Sequence, residues 1–279
     1  MPTTGLGVIV AEAEAAGRGV GAFNVIGIEH AEAIVTGAQA AGAPVVLQIS
    51  ENCVRYHGGL APIGQAALAI AATAALPVAV HLDHATDAEL VREAARLGFG
   101  SAMYDASALP YQRNVHATAA VTAWGHEHGL WVEAEIGEIG GKDGVHAPGA
   151  RTDPREAAAF ADATGVDGLA VAVGSSHAML TRDAVLDLGL IGRIHAAVGV
   201  PLVLHGSSGV PDEMLTAAVA AGLTKVNIAT QLNKVFTAAV RAYLDGDASV
   251  VDPRRYTAAG RDAIAAEVAR LLDILHACP

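Results

Sequence analysis

Lysine is nearly missing from this chain, with only Lys142, Lys225 and Lys234 among 279 residues. Arginine does not fill the gap: 29 acidic side chains stand against 17 basic ones, a formal charge of −12. A protein of that sign is repelled by nucleic acid and by anionic membrane surfaces, so neither is expected as a partner. Any phosphorylated ligand must be held by local features. Cysteine is as scarce. Cys53 and Cys278 are too few for a disulfide framework and fit a reducing compartment, so a cytoplasmic location is expected. No unbroken apolar run reaches the roughly 18 residues that a spanning helix needs. The opening stretch MPTTGLGVIVAEAEAAG lacks a basic region and is broken by Glu12 and Glu14, so it is not expected to act as a signal peptide.

Aromatic residues are few as well: 4 Phe, 5 Tyr and 2 Trp in a sequence that is 52% hydrophobic. The core must then be built from Ala, Val, Leu and Ile, which suits helices stacked on a parallel sheet. Eight short β-type runs alternate with Ala-rich helical stretches: 21–27, 43–50, 77–84, 99–106, 129–137, 165–174, 200–209 and 223–230. Eight β/α units predict a closed (β/α)8 barrel of the TIM type, as one domain over residues 1–279. A doubly wound open sheet is the alternative, but it calls for a GxGxxG turn after the first strand, and GAFNVIG is not that motif. An opening helix is expected over 3–17. Beyond the eighth strand come a helix at 231–246, an irregular connection DASVVDPRRY, and a last helix at 257–277.

The chain is organised around PVAVHLDHATD, residues 77–87, an apolar run that stops abruptly in two histidines and two aspartates. By itself this is equally a polar turn closing a core strand, with Thr86 or Asp87 capping the next helix. Other run ends change the balance. Asn24, Gln48 and Ser50, Asp83 and His84, Asp105, Glu133 and Glu135, His177, His205, and Asn227 with Thr230 all fall where a barrel strand ends, and so face one mouth. His84, His177 and His205 come from three strand ends with carboxylates near them, the pattern of a catalytic zinc site with an open position. His81 is expected in the core or behind the metal, and the remaining histidines, His30 among them, at the surface. HGSSG after strand seven and NIAT after strand eight stand where such barrels bind phosphate through backbone N–H groups.

The stretches GAFNV, HLDHATD, YDAS, VEAEIGEIGG, GVDGLAVAVGSSH, VPLVLHGSSGVPDE, TKVNIATQL and DPRRY, spread over nearly the whole chain, resemble the class II, metal-dependent ketose-bisphosphate aldolases. The resemblance is to the branch that includes tagatose-bisphosphate aldolase. Carried over position by position, it implies His84, His177 and His205 as zinc ligands and Asp83 as the acid/base beside the metal. Asp105 and Glu135 match carboxylates that act as alternative or outer ligands. Asn24 and Ser50 match positions near the sugar. Gly206, Ser208, Asn227 and Thr230 match the pocket for the ketone-side phosphate. Arg254 corresponds to an arginine that reaches the other phosphate across a subunit boundary.

The implied reaction is cleavage of fructose or tagatose 1,6-bisphosphate to dihydroxyacetone phosphate and glyceraldehyde 3-phosphate. Zinc polarises the C2 carbonyl, Asp83 takes the C4 hydroxyl proton, and Asn227 donates to the charge that develops as C3–C4 breaks. A loop acid, Asp143 or Glu138, reprotonates the carbon. The implied cofactors are zinc and, second, a monovalent cation, and the implied assembly is a homodimer or homotetramer. Two departures keep other readings open: Ala178 follows His177 where relatives often have Gly, and Lys142 or Asp143 stands where Glu is frequent. An aldolase for another phosphorylated ketose, or a sugar-phosphate-binding relative without turnover, would fit them. A Schiff-base lysine is not expected, because Lys142 lies in a loop, Lys234 in a helix, and Lys225 at the end of its strand away from the mouth.

Overall fold

The computed structural model describes residues 4–137, 151–176, 179 and 181–277. Strands β1 (Val20–Asn24), β2 (Val45–Ser50), β3 (Val78–Ala85), β4 (Ser101–Tyr104), β5 (Trp131–Glu135), β6 (Gly168–Ala170), β7 (Leu202–Leu204) and β8 (Leu223–Ile228) pair in sequence order. Every pairing is parallel, and β8 closes on β1 with Ala22 opposite Asn227. This is the predicted barrel. The intervening helices are α2 (Ile28–Ala41), α3 (Glu51–His57), α4 (Leu60–Thr73), α5 (Ala88–Leu97), α6 (Tyr111–Glu127), α7 (Pro154–Thr164), α8 (Leu188–Ala197) and α9 (Asp212–Ala220), with α1 (Leu6–Ala15) ahead of β1 and α10 (Thr230–Gly246) and α11 (Pro253–His276) behind β8.

The strands are buried on both faces, and their period of two sorts residues between two cores. Outward residues such as Val45, Leu47, Val80, Leu82, Val132, Leu202 and Val226 join the large cluster beneath the helices. Inward residues are layered along the barrel axis. At the lower end Val20, Ala22, Val46 and Ala79 pack on Leu6, Ile9, Val10 and Ala13 of α1, with Trp131 against them. The first helix is therefore a plug. A β-carbon on Gly168 would come within 2.4 Å of the Trp131 ring, so only glycine leaves room for the indole inside the barrel. Higher up the same inward positions turn polar: Gln48, His81, Ser101, Glu133 and Lys225 are all buried. The apolar floor and polar upper layers fix which end can do chemistry.

Two local expectations change. Pro253 to Tyr256 are not an irregular connection but the first turn of α11, with the Asp252 side chain accepting from the Arg254 N–H at 3.0 Å. Asp followed by Pro is an N-cap and first-turn signal, so DPRRY starts the helix. His30 is not a surface residue either. It is buried in α2 and stacked on Phe236 of α10, ring centroids 5.1 Å apart, and burial lowers its pKa. Helices α10 and α11 form an antiparallel hairpin, Gln231 pairing with Glu267 and Phe236 lying over Gly260, while Leu244 and Val251 at its far end are exposed.

Candidate active site

The site begins at the end of β3. Regular alternation turns His81 and Asp83 inward and would turn His84 outward among the helices. His84 is instead left-handed, φ +51°, the sole non-glycine residue with positive φ among the described residues, and the β3–β4 register shifts between Leu82 and Ala85. That bend turns both neighbours into one cleft. Donor atoms of Asp83, His84 and His205 lie within 4.8 Å of one another, as do those of His84, Asp105 and Glu135. A strained conformation that costs on the order of 1 kcal/mol is held here by the ladder on one side and by the Asp87 N-cap of α5 on the other.

Each histidine is gripped by a carboxylate. His84 Nδ1 donates to Asp105 Oδ2 at 2.9 Å, and Asp105 is itself fixed by the N–H and hydroxyl of Ser107 at 3.1 and 2.6 Å. His205 Nε2 is 3.0 Å from Glu133 Oε1 and its Nδ1 is 3.2 Å from Glu135 Oε2. Asp105 thus fixes the orientation of the His84 ring, and Glu133 and Glu135 flank the two nitrogens of His205. The His84 and His205 rings meet edge to face at 4.7 Å. Burial opposes a charge on His205, yet its bonds to Glu133 and Glu135 prevail and push its pKa up to about 9. His84 also shifts upward: burial opposes it, but the Asp83 charge and the Asp105 bond outweigh burial. Asp83, Asp105, Glu133 and Glu135 are buried, and Lys225 is the one buried lysine among the described residues. So much negative charge around two imidazoles whose donor atoms cluster with carboxylate oxygens fits a divalent cation, and the mixed nitrogen and oxygen donors fit zinc.

Lys225 is where the sequence reading fails most plainly. It was expected at the far end of its strand, away from the mouth, and instead sits fully buried in the barrel interior. Residues 225 and 227 share the inward face of β8 by the period of two, so Lys225 lies one layer below Asn227. Its Nζ donates to Glu133 Oε2 at 2.8 Å and to Asn227 Oδ1 at 2.7 Å. Burial and the nearby ammonium drive the pKa of His81 down to about 3, so this ring is neutral. Burial alone would raise Glu133, but Lys225 and His205 hold it far below the usual carboxylate range. By sequence Glu133 is a strand end without an assigned role.

The other wall of the cleft carries no formal charge. Asn24, Gln48, Ser50, Asn52, Gly206, Ser207, Ser208, Asn227, Ala229 and Thr230 line it, facing Asp83 and His84. Gly206 is left-handed, φ +66°, which leads into the tight helical turn Ser207–Gly209, and Gly206, Ser207 and Ser208 line the cleft. Ser207 Oγ donates to the Asn227 carbonyl at 2.5 Å, joining β7 to β8, while buried Ser208 Oγ has no hydrogen-bond partner. Helix α10 starts at this wall without a side-chain cap. A helix start without a side-chain cap, beside the buried Ser208 hydroxyl, has the character of a place where an anion can be held. Ser50 Oγ accepts from Cys53 N at 3.3 Å as the cap of α3, so its own proton remains to donate.

Six of the predicted ligand-contact residues, Asn24, Ser50, Gly206, Ser208, Asn227 and Thr230, therefore meet at one cleft with Asp83 and His84. Arg254 does not join them. It is largely exposed at the hairpin tip and paired with Asp252 at 2.8 Å. His177, Ala178, Glu138, Lys142 and Asp143 lie outside the described residues, as do His146 and Cys278. Gln48, Asn52, Ser207 and Ala229 were not singled out as ligand contacts. Gln48 and Ser207 share strand-end positions with residues that were, and that period-two signal could have found them.

A scan against protein families matches residues 5–278 to "Fructose-bisphosphate aldolase class-II". Among curated proteins, the fructose-bisphosphate aldolase of Geobacillus stearothermophilus is 38% identical over 253 residues, 89% of this chain and 88% of that protein. Among solved structures, the YdjI aldolase of Escherichia coli K12 superposes with a TM-score of 0.85 at 27% identity, covering 98% of this chain and 97% of that one. A putative fructose-1,6-bisphosphate aldolase of Coccidioides immitis gives 0.86 at 29% identity, over 96% and 94%.

Proposed function

We propose, for a chain that belongs to the class-II fructose-bisphosphate aldolase family and is thus an aldolase, that its substrate is a ketose 1,6-bisphosphate and its cofactor zinc. The observation that carries this reading is the left-handed His84, which brings a carboxylate and an imidazole from adjacent positions into the cleft with His205. One neighbour then holds metal while the other serves the substrate. His84 and His205, with His177, would hold the zinc, which would polarise the C2 carbonyl.

The remaining steps belong to side chains. Asp83 is the base that takes the proton from the C4 hydroxyl, starting cleavage of C3–C4. Asn227 Nδ2, 3.2 Å from Asp83 Oδ1, donates to the oxygen on which negative charge grows. The Gly206–Ser208 turn and the start of α10 hold the ketone-side phosphate, with Asn24 and Ser50 along the sugar. Asp143 or Glu138 returns the proton. Arg254, on an exposed hairpin, would contribute to a neighbouring subunit in a homodimer or homotetramer, and the protein would work in the cytoplasm. A monovalent cation at the phosphate side belongs to the same reading.

Cleavage of phosphorylated ketoses, followed by release of dihydroxyacetone phosphate, tests the proposal. Activity with fructose or tagatose 1,6-bisphosphate is expected, abolished by a chelator and restored by zinc or cobalt. Full turnover by metal-free protein would reject the zinc reading, and cleavage confined to some other phosphorylated ketose would replace the substrate.

A further inference from the structure

A primary amide has two ends of similar shape and opposite hydrogen-bonding character, so an asparagine that stabilises negative charge must present its nitrogen. The Asn24–Gln48 contact, Gln48 Nε2 to Asn24 Oδ1 at 2.6 Å, cannot set that polarity firmly, because both partners are amides and Gln48 Oε1 is buried without a partner. Asn227 is held differently. The group beneath it is the Lys225 ammonium, which has three donors and no acceptor, so the atom 2.7 Å away must be oxygen and the nitrogen must face Asp83 and the cleft. Lys225 is itself fixed by Glu133 at 2.8 Å, and Glu133 is fixed by His205.

We infer that Lys225 is a positioning residue of the aldol reaction, locking the Asn227 carboxamide with its N–H groups toward the substrate throughout turnover. The inference rests on the assignment of Asp83 as base. Before proton transfer, the Asp83 carboxylate accepts from Asn227 Nδ2 and would hold the amide unaided. Once Asp83 carries the proton taken from the hydroxyl, it can donate to an amide oxygen, and the pull on the nitrogen is gone. That is the stage at which charge sits on the ketone half and needs a donor. Lys225 one layer below takes no part in that proton transfer and donates to Asn227 Oδ1 at 2.7 Å, so it keeps the oxygen end down. Lys225 is not among the residues lining the cleft, consistent with action through Asn227 and not as a nucleophile.

The test uses zinc-loaded wild type, Lys225→Met, and the double variant Lys225→Met/Glu133→Gln, which also removes the carboxylate charge that the single variant would leave uncompensated. Both variants are expected to keep zinc and to lose about 10- to 100-fold in kcat with KM within about threefold, the split of an interaction made in the transition state. The side-chain NH2 resonance of Asn227, identified by its loss in Asn227→Ala, should be single and slowly exchanging in wild type and broadened or fast-exchanging in both variants. Wild-type kcat in either variant would overturn the inference, recovery in the double variant alone reducing Lys225 to a counter-charge for Glu133. Loss of zinc in the double variant would overturn it too. Should wild type cleave no ketose phosphate, the reaction assignment fails and the inference as stated fails with it. The Asn227 resonance then reports separately whether Lys225 orients the amide.

Discussion

The two walls of the mouth are built on opposite electrostatic plans. From β3 through β5 and on to β7 the inward residues are ionisable: Asp83, His84, Asp105, Glu133, Glu135 and His205. From β7's following turn through β8 to β1 and β2 the residues that line the cleft are neutral: Gly206, Ser207, Ser208, Asn227, Asn24, Gln48 and Ser50. Yet the neutral wall is the one with the shape of an anion site. An arginine there would bind an anion more strongly, but its charge would also repel a divalent ion in the same cleft. On the proposed reading, backbone amides and hydroxyls would attract the dianion through dipoles that fall off faster with distance, so the two walls could act on one substrate without disturbing each other.

If that division is real, the largest effects belong to the charged wall and fall on kcat or on metal. Asp83→Asn should keep zinc and substrate affinity while losing on the order of 10²–10⁴-fold in turnover. His84→Ala should lose zinc and activity together, measured as metal content per chain beside the rate. Were Asp83→Asn to lose zinc while His84→Ala kept it, the roles of these neighbours would have to be exchanged.

The neutral wall should answer in KM. Ser208→Ala removes a buried hydroxyl that has no protein partner, and the loss of one hydrogen bond to a charged phosphate should raise KM about 10-fold with kcat nearly unchanged. Asn24→Ala should follow the same direction. Steady-state kinetics on both variants, with inorganic phosphate as a competing ligand, separates the walls. A fall in kcat at constant KM for Ser208→Ala would erase the distinction.

Much of this could be read from the sequence, because strand ends are marked where apolar runs stop. In a barrel those ends face one mouth, which places Asn24, Ser50, Asp83 and Asn227 together. What could not be read was depth. Lys225 was judged by its place along the strand, near the beginning, whereas its long side chain and inward face put its ammonium beside Glu133 and Asn227. Nor could the sequence give the conformation of His84. Nothing in HLDHATD marks a left-handed residue; what imposes it is the register shift against β4, a contact between distant segments. DPRRY differs for a simpler reason: a Pro can mark a break in a helix, but Asp before Pro starts one.

The smallest effect should come from the side chain that ties the walls together. Glu51 follows Ser50 of the neutral wall at the start of α3, and its carboxylate accepts from the Thr86 N–H at 2.6 Å and from the Thr86 hydroxyl at 2.9 Å, two residues beyond the left-handed His84. Arg55 pairs with it from the next turn. Burial works against its charge, but the bond to the Thr86 backbone, with Arg55 behind it, holds the Glu51 pKa below its ordinary value of 4.5. A depressed carboxylate stabilises the fold fully above its unfolded pKa, and that contribution disappears as pH falls through the folded one. Glu51→Gln, which retains an acceptor but no charge, should therefore lower the stability of the metal-free protein by about 1 kcal/mol near neutral pH. The gap to wild type should stay constant from neutral pH down to about pH 5 and narrow below that. Urea unfolding of both proteins at pH 7, 5 and about 3.5 measures it. A gap that persisted undiminished at the lowest pH would mean that shape, and not the charge of Glu51, joins the two walls.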